Sequence, residues 1–408
     1  MKILQINKFY HIHGGTDRYF FEVSKLLKKH NHKVAFFSTE DKKNNKTKWS
    51  KFFVENFSFD KTNINNFFRL FPNYIFSLSA YNKINQLLDY FQPDLVHLHS
   101  IYHHLTPSIL IALKNRNIPI VQTVEDYHLV SPNYNLFHDG GICEITKPNK
   151  FHKSAFHKCV KGSYLYSFAE VVEKYIYYIL GWERNYVDYF IAPSLFTKYK
   201  LVEYDIDSNK IIYLPHFVED TRYAIEYSKG NYILYFGRLS PEKGLEYLIE
   251  TMKRLPKINL RIVGTGEEDY EAKLKKLSYN QKNIRYYGYK NNNELRRIIS
   301  GSRFTILPSV WYEVFGLSIL ESFASRKPVI ASNIGGIPET IKHGYNGFLF
   351  EPQNMDDLTN KINLLWSNLK LCKAMGSNAR EYVERNFGPE KHYEKLMEIY
   401  RLAIKKHK

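Results

Sequence analysis

Cysteine is scarce in this chain: Cys143, Cys159 and Cys372 are the only three in 408 residues. Three thiols do not make a disulfide framework, and Cys143 and Cys159 lack the tight paired spacing of a structural zinc site. Long apolar runs are missing too. Nothing reaches the ~18 residues that a membrane span needs, and the apolar stretch Val171–Leu180 is flanked by charge. The opening MKILQINKFY has only Ile3, Leu4 and Ile6 before polar residues return, which reads as a strand and not as a signal peptide. A cytoplasmic protein is therefore expected. Glycine (20) and proline (15) are at ordinary levels, which excludes a repetitive or disordered chain. The three-glycine dinucleotide fingerprint is absent, so a nicotinamide cofactor loses support. Acidic residues are outnumbered, 41 against 58 Lys and Arg, giving a formal charge of +17. Such an excess attracts nucleic acid, anionic lipid or nucleotide phosphates. The plainer reading is compositional bias, since Lys, Asn, Ile and Tyr are all abundant. Eight lysines between Lys28 and Lys51 would suit an anionic membrane surface.

Apolar residues make up 44% of the chain, enough to bury, and 408 residues suit two domains. The chain alternates strand and helix. Residues 2–7 read as a buried strand, 17–30 as a helix with Phe20, Val23, Leu26 and Leu27 on one side, and 34–38 as the next strand. Strands follow at 95–99, 118–123, 189–192 and 211–214, with helices at 79–90, 107–115 and 168–180. Residues 40–70 show no clear period and read as loops or an insertion. Residues 132–162 break the rhythm and form a long excursion. A second run of strands begins at 232–236, 260–263, 284–287, 304–307, 329–331 and 347–350. This alternation is that of α/β parallel sheets covered on both faces. We expect a first domain over 1–216, a hinge between 216 and 230, a second domain over 217–388, and a last helix, 389–405, crossing back onto the first. The site should lie in the cleft between the carboxyl ends of the two sets of strands.

Four segments at strand ends could carry chemistry. Gly14-Gly15 permits close backbone approach of a ligand, with free helix amides behind it; a plain turn is the alternative. In Phe236–Gly244, Arg238 offers forked donors and Lys243 a mobile point charge, which suits a diphosphate; two solvated loop charges are the alternative. In Ser309–Glu321, Glu313 lies in a loop, where it could accept from sugar hydroxyls. Glu321 sits eight residues on, where it could hold a ribose diol, and the helix start at Phe315, Gly316 and Leu317 presents amides to phosphate. A capped or paired helix glutamate is the plain reading of Glu321. In Thr123–His128, Glu125, Asp126 and His128 could serve acceptor activation. His97, His99, His103 and His104 show no clean ligand spacing and read as satisfied or solvated histidines.

Taken together, Tyr235-Phe236-Gly237-Arg238, Lys243-Gly244, Val263-Gly264 with Gly266, Pro308-Ser309, Glu313, Phe315-Gly316, Glu321, Gly335-Gly336-Ile337-Pro338-Glu339 and Asn346–Leu349 resemble the retaining glycosyltransferases of GT-B fold, over nearly the whole chain. The resemblance implies two Rossmann-like domains facing across a cleft. It implies that Glu313 contacts the donor sugar, Glu321 the ribose, and Arg238 and Lys243 the pyrophosphate. Gly15 would let the first-domain loop close over the donor, with Gly264 and Gly266 in the donor site. It also implies no metal and no cofactor beyond a UDP- or GDP-sugar donor. Relatives carry histidine where this chain has Glu125, and more cysteines in the stretch matching 143–159. Glu125 is open to three roles: hydrogen-bond acceptor, base, or bystander.

The leading expectation is transfer of a sugar to a saccharide or lipid-linked acceptor in bacterial surface polysaccharide synthesis, at or near a membrane. A nucleotide-sugar epimerase and a non-catalytic nucleotide-sugar-binding protein are the alternatives. Nucleic-acid binding is the weakest reading, and a steep salt dependence of duplex binding would be its sign.

Overall fold

The structure is a computed structural model that describes residues 1–56, 71–219, 223 and 230–408. The first sheet contains β1 (Lys2–Ile6), β2 (Lys33–Phe37), β3 (Leu95–Leu98) and β4 (Ile120–Thr123). A small hairpin follows, β5 (Phe137–His138) with β6 (Gly141–Ile142), and then β7 (Tyr189–Ala192) and β8 (Ile211–Tyr213) complete the sheet. Its order is β2-β1-β3-β4-β7-β8, every pairing parallel. The second sheet holds β9 (Tyr232–Phe236), β10 (Asn259–Val263), β11 (Ile284–Tyr286), β12 (Thr305–Leu307), β13 (Val329–Ser332) and β14 (Gly347–Phe350), in the order β11-β10-β9-β12-β13-β14. The strands are short and apolar because parallel sheets are covered on both faces. Each sheet reverses its winding once, between β1 and β3 and between β9 and β12, and ligands gather beyond the strand ends at such points.

Helices supply the cover. Gly15–Lys29 buries Tyr19, Phe20, Val23, Leu26 and Leu27, and places Lys28 and Lys29 in its last turn, where the helix dipole favours cations. Ser77 and Ser194 cap the helices Leu78–Phe91 and Leu195–Glu203 by accepting from the backbone amides of Ala80 and Thr197. The final helix, Pro389–Lys405, lies in the core of the first sheet through Leu396, Met397, Ile399, Tyr400 and Ala403. Its aliphatic side chains contribute about 1.5–3 kcal/mol each. Tyr400 Oη is 2.8 Å from His97 Nδ1, and His392 Nε2 is 3.0 Å from Tyr19 Oη.

Several elements differ from the sequence reading. The helix Glu268–Leu277 was not expected: only Tyr270 and Leu274 are buried, so its apolar stripe is too narrow to show as a period. The helix Tyr164–Leu180 begins four residues before Phe168, and its buried side mixes Ala169, Val171 and Tyr177 with charged residues. Glu170, Glu173 and Lys174 point inward, while Tyr164, Phe168 and Ile179 are 61%, 59% and 76% exposed. The 132–162 excursion contains the β5–β6 hairpin and a short helix, His152–Phe156. Of the 40–70 stretch, residues 57–70 lie outside the described residues, as do 220–222 and 224–229 of the expected hinge.

Candidate functional site

At the second switch point, β9 leads into 237–244, β10 into 264–266 and β12 into 308–316. Glycine lets these loops touch through their backbones. A Cβ on Gly264 would fall 1.8 Å from the Gly237 carbonyl oxygen, one on Gly266 1.9 Å from that of Leu239, and one on Gly244 1.9 Å from that of Pro308. Gly264 and Gly266 thus pack one loop onto another and shape the platform on which the charged side chains stand. Lys243 Nζ lies 2.6 Å from Glu313 Oε1 and 4.9 Å from the Trp311 ring. Ser309 Oγ donates to the same carboxylate oxygen at 2.6 Å. Burial alone would raise the Glu313 pKa; the Lys243 ammonium and these hydrogen bonds outweigh it and hold the group below its ordinary value. The turn at Gly335-Gly336 braces the same residue, since Gly336 N–H donates to the Glu313 carbonyl at 2.7 Å. A Cβ on Gly335 would strike the Glu313 backbone nitrogen at 2.5 Å. Arg238 Nη2 meets Glu242 Oε1 at 2.6 Å and its side chain stays 41% exposed, against 17% for Lys243. Gly316, with φ of 89°, starts the helix Leu317–Ala324. Phe315 is buried against His216 and Phe387.

The facing side is built from the first sheet. Asp17 shapes the Gly14-Gly15 loop: it accepts from the backbone amides of His13 and Gly14 at 3.0 and 2.9 Å and from Asn7 Nδ2 at 2.8 Å. A Cβ on Gly15 would lie 3.5 Å from Leu317 Cδ1, so Gly15 faces the start of the Leu317–Ala324 helix. Beyond β4, Glu125 Oε2 is 3.3 Å from His216 Nε2, and Oε1 is 3.8 Å from His99 Nδ1. Burial opposes ionisation of Glu125, but the His216 charge and hydrogen bond prevail and hold its pKa down to about 2. Asp126 accepts from the His128 amide at 2.9 Å, yet burial pushes its pKa up to about 6. Two adjacent acids are thereby driven apart, an arrangement that separates a permanent anion from a group able to exchange a proton.

The two sides meet directly. Arg18 pairs with Glu321, and Tyr223 Oη donates to the same Glu321 oxygen at 3.1 Å. These three side chains, with Glu22, Arg296 and Leu317, line a recess between the sheets. Glu339 accepts the backbone amides of Leu195 and Phe196 at 2.7 and 2.6 Å, and so caps a helix of the first sheet from the second. The structure brings Glu313, Lys243, Phe315, Gly316 and Leu317 together with Gly15 opposite, and Glu321 with Arg18. The sequence reading missed Asp17, Arg18 and His216, and named Ser309 within a motif without giving it a role. Asp17 and Arg18 lie on a helix read only for its apolar side, and His216 stood only as the start of a hinge.

The histidines divide. His97 bonds Thr123 Oγ1 at 2.8 Å as well as Tyr400, as a satisfied side chain does, whereas His99 bonds Gln5 Oε1 at 2.9 Å through Nε2 alone and turns Nδ1 toward Glu125. His103 joins His128, Glu170 and Glu173 in a group able to hold a metal ion. The one Asp-any-Asp spacing, a pattern of metal-dependent transferases, is Asp205 and Asp207. Asp205 accepts from Asn149 at 2.6 Å and Asp207 from the Asn209 amide at 2.9 Å, as surface loop residues.

Comparison with known proteins agrees with this architecture. A family model described as Glycosyltransferase Family 4 matches residues 13–222, and one described as Glycosyl transferases group 1 matches residues 219–382. The chain is 31% identical over 176 residues to the uncharacterized glycosyltransferase MJ1607 of Methanocaldococcus jannaschii, covering 42% of this chain and 45% of that protein. It is 28% identical over 221 residues to the UDP-Gal:alpha-D-GlcNAc-diphosphoundecaprenol alpha-1,3-galactosyltransferase of Escherichia coli, covering 48% and 55%. The chain therefore spans about half the length of these curated relatives. A glycosyltransferase crystal structure from Rickettsia africae superimposes with a TM-score of 0.70 at 25% identity, over 99% of this chain and 98% of that one. With two parallel sheets facing across a cleft, and a family model matching more than half its length, the chain belongs to Glycosyltransferase Family 4 and has the GT-B fold.

Proposed function

We propose that the protein transfers a sugar from a UDP- or GDP-sugar to a saccharide or lipid-linked acceptor in bacterial surface polysaccharide synthesis, with retention at the anomeric carbon and no metal ion in the reaction. The observation that carries this reading is the Lys243–Glu313 pair, fixed by Ser309 and the Gly335-Gly336 turn at a switch point that Gly15 faces. Lys243 has three donors and gives one to Glu313. The others, with Arg238 and the amides at Gly316 and Leu317, can meet a diphosphate. Their attraction grows as the leaving group gains charge, which lowers the barrier more than it tightens donor binding. Both bonds to Glu313 fall on Oε1, which leaves Oε2 to accept from sugar hydroxyls. Glu321 is the ribose ligand in this reading, and Arg18 exchanges places with the ribose. Glu125, held ionised, accepts a hydrogen bond near the donor sugar; Asp126 is the neighbouring proton carrier.

The diphosphoundecaprenol in the Escherichia coli relative's name supports a lipid-linked acceptor class. A peripheral place on the membrane is supported by exposed Phe156, Tyr164, Phe168 and Ile179 and by exposed Lys153, Lys158 and Lys161, of which Lys158 lies over the Tyr164 ring. No helix among the described residues is long and apolar enough to cross a membrane.

A thermal-shift screen of nucleotides and nucleotide sugars tests the donor. The anomeric configuration of the product, read by NMR, tests retention. Donor hydrolysis with no transfer to any lipid-linked saccharide would count against the acceptor class. Conversion of the sugar by donor and protein alone would instead establish an epimerase, and nucleotide-sugar binding without turnover a binding protein.

A further inference from the structure

Behind the loop that carries Glu125 and Asp126, three chain segments bring four metal-ligating side chains to one point. His103 comes from the loop after β3, His128 from the loop after β4, and Glu170 and Glu173 from the helix Tyr164–Leu180. One ligand atom of each lies within 4.8 Å of all the others. His128 Nε2 is 3.6 Å from Glu170 Oε2 and 3.5 Å from Glu173 Oε2, and His103 Nε2 is 3.7 Å from Glu170 Oε1. His128, Glu170 and Glu173 are 1%, 6% and 0% exposed. Yet among the described residues His128 Nε2, Glu170 Oε2 and both oxygens of Glu173 have no hydrogen-bond partner. Buried polar atoms are nearly always paired, so four orphans at one point call for an occupant.

Charge points the same way. Lys174 lies 3.0 Å from Glu183 and neutralises it. Tyr74 donates to Glu170 but brings no charge. Among the described residues neither Glu170 nor Glu173 pairs directly with a lysine or arginine, although the Lys174 charge acts on both and that of Lys161 on Glu170.

We propose that His103, His128, Glu170 and Glu173 bind one divalent transition-metal ion, zinc by the nature of the ligand set, as a structural clamp. Two imidazoles and two carboxylates make a closed four-ligand set for a tetrahedral ion. Bonds of about 2.0–2.1 Å put tetrahedral ligand atoms about 3.3 Å apart, so the three separations of 3.5 to 3.7 Å need contract by only a few tenths of an ångström, while the widest, within 4.8 Å, needs a larger side-chain adjustment. Ligation through His128 Nε2 places that ring's proton on Nδ1. Lys174 Nζ, which donates to Nδ1 at 3.3 Å in the structure, gives up that bond on ligation and keeps its 3.0 Å pair with Glu183. With all four positions filled by protein, the ion takes no part in sugar transfer. It ties the loop bearing Glu125 and Asp126 to the helix behind it.

The test needs no enzymatic readout. Protein purified without a metal-chelate column is assayed for metals by inductively coupled plasma mass spectrometry, before and after incubation with Zn²⁺ and desalting. About one zinc per chain is expected, and a strong chelator should lower the melting temperature of the full chain by several degrees, reversed by Zn²⁺. Another divalent transition metal at the same stoichiometry also supports the site. Glu173→Gln keeps the shape and removes a ligand charge. It should fail to retain metal and melt like the chelated wild type, whatever is added. Metal below about a tenth of an equivalent after Zn²⁺ incubation, with no response to the chelator, overturns the proposal and leaves protons shared between the two carboxyl groups. Full metal retention by Glu173→Gln would overturn it as well, by removing Glu173 from the ligand set.

Discussion

On the second-sheet side of the cleft, Lys243, Glu313, Ser309, Arg238 and Glu242 pair with one another inside two neighbouring loops, on a platform where glycines let backbones touch. On the first-sheet side, Glu125 draws its partners from distant strand ends, His99 beyond β3 and His216 beyond β8, and Glu125 Oε1, His99 Nδ1 and His216 Nδ1 remain without a hydrogen bond. The first arrangement is local and almost complete by itself. The second exists only once four parallel strands have been brought side by side. A site assembled from one cluster of loops is written in sequence as a motif; a site assembled across a sheet leaves no spacing to read.

The comparison can be broken most forcefully at Lys243. Lys243→Ala strands a buried Glu313 carboxylate and should cost about 3–5 kcal/mol of stability. In the proposed reaction it should also lower kcat about 10²–10³-fold. Arg238→Ala, which leaves the buried Glu242 carboxylate with the Ser240 hydroxyl as its remaining donor, should lower the urea midpoint less than Lys243→Ala does and lower kcat more than it raises KM. If either variant alters KM alone, its charge does not act on the leaving group.

Glu125 comes next. Its pKa of about 2 lies below the ordinary 4.5, so the unfolded chain takes up its proton first as the pH falls. The stabilisation is complete above pH 4.5 and is lost on acidification toward pH 2, amounting to roughly 3 kcal/mol. Glu125→Gln should therefore flatten the pH dependence of unfolding in that window, followed by denaturant melts from pH 7 downward, while keeping measurable transfer. Glu125→Ala should lose more transfer; wild-type rates from it would make the residue a bystander. Asp126→Ala, run beside them at saturating donor, separates the rival carboxylate.

A smaller effect is expected between the sheets. Glu321→Ala should weaken nucleotide binding by about 1–3 kcal/mol, the loss of hydrogen bonds to one diol. Arg18→Ala should strengthen it several-fold by freeing the carboxylate, and unchanged affinity in both by calorimetry would end the ribose assignment. The smallest effect belongs to Glu339→Ala, which removes a helix cap and should cost about 1 kcal/mol in urea unfolding.

Much of the fold was legible because parallel strands buried on both faces must be short and apolar, and their helices must show a stripe. The helix Glu268–Leu277 escaped because two buried side chains make no stripe. The helix Tyr164–Leu180 showed its apolar residues plainly, but not that Phe168 and Ile179 face outward while Glu170, Glu173 and Lys174 are buried. Of the candidate site, the Arg238, Lys243, Glu313 and Gly335-Gly336 cluster was legible because tight loops demand glycine at fixed places beside the charges they orient. Arg18, His216 and the His103–His128–Glu170–Glu173 group were not, because each partner stands on a separate crossover.

By itself, then, the sequence determined the two sheets, the glycine-braced loops and the charges beside them. These rest on local backbone geometry and hydrophobic period, which neighbouring residues carry in full. Only the tertiary structure decided that Glu125 meets His216, that Arg18 occupies Glu321, and that two buried glutamates of one helix face two histidines. Tertiary packing brings residues from about forty to 303 positions apart into contact, and no local pattern records which strands will lie side by side.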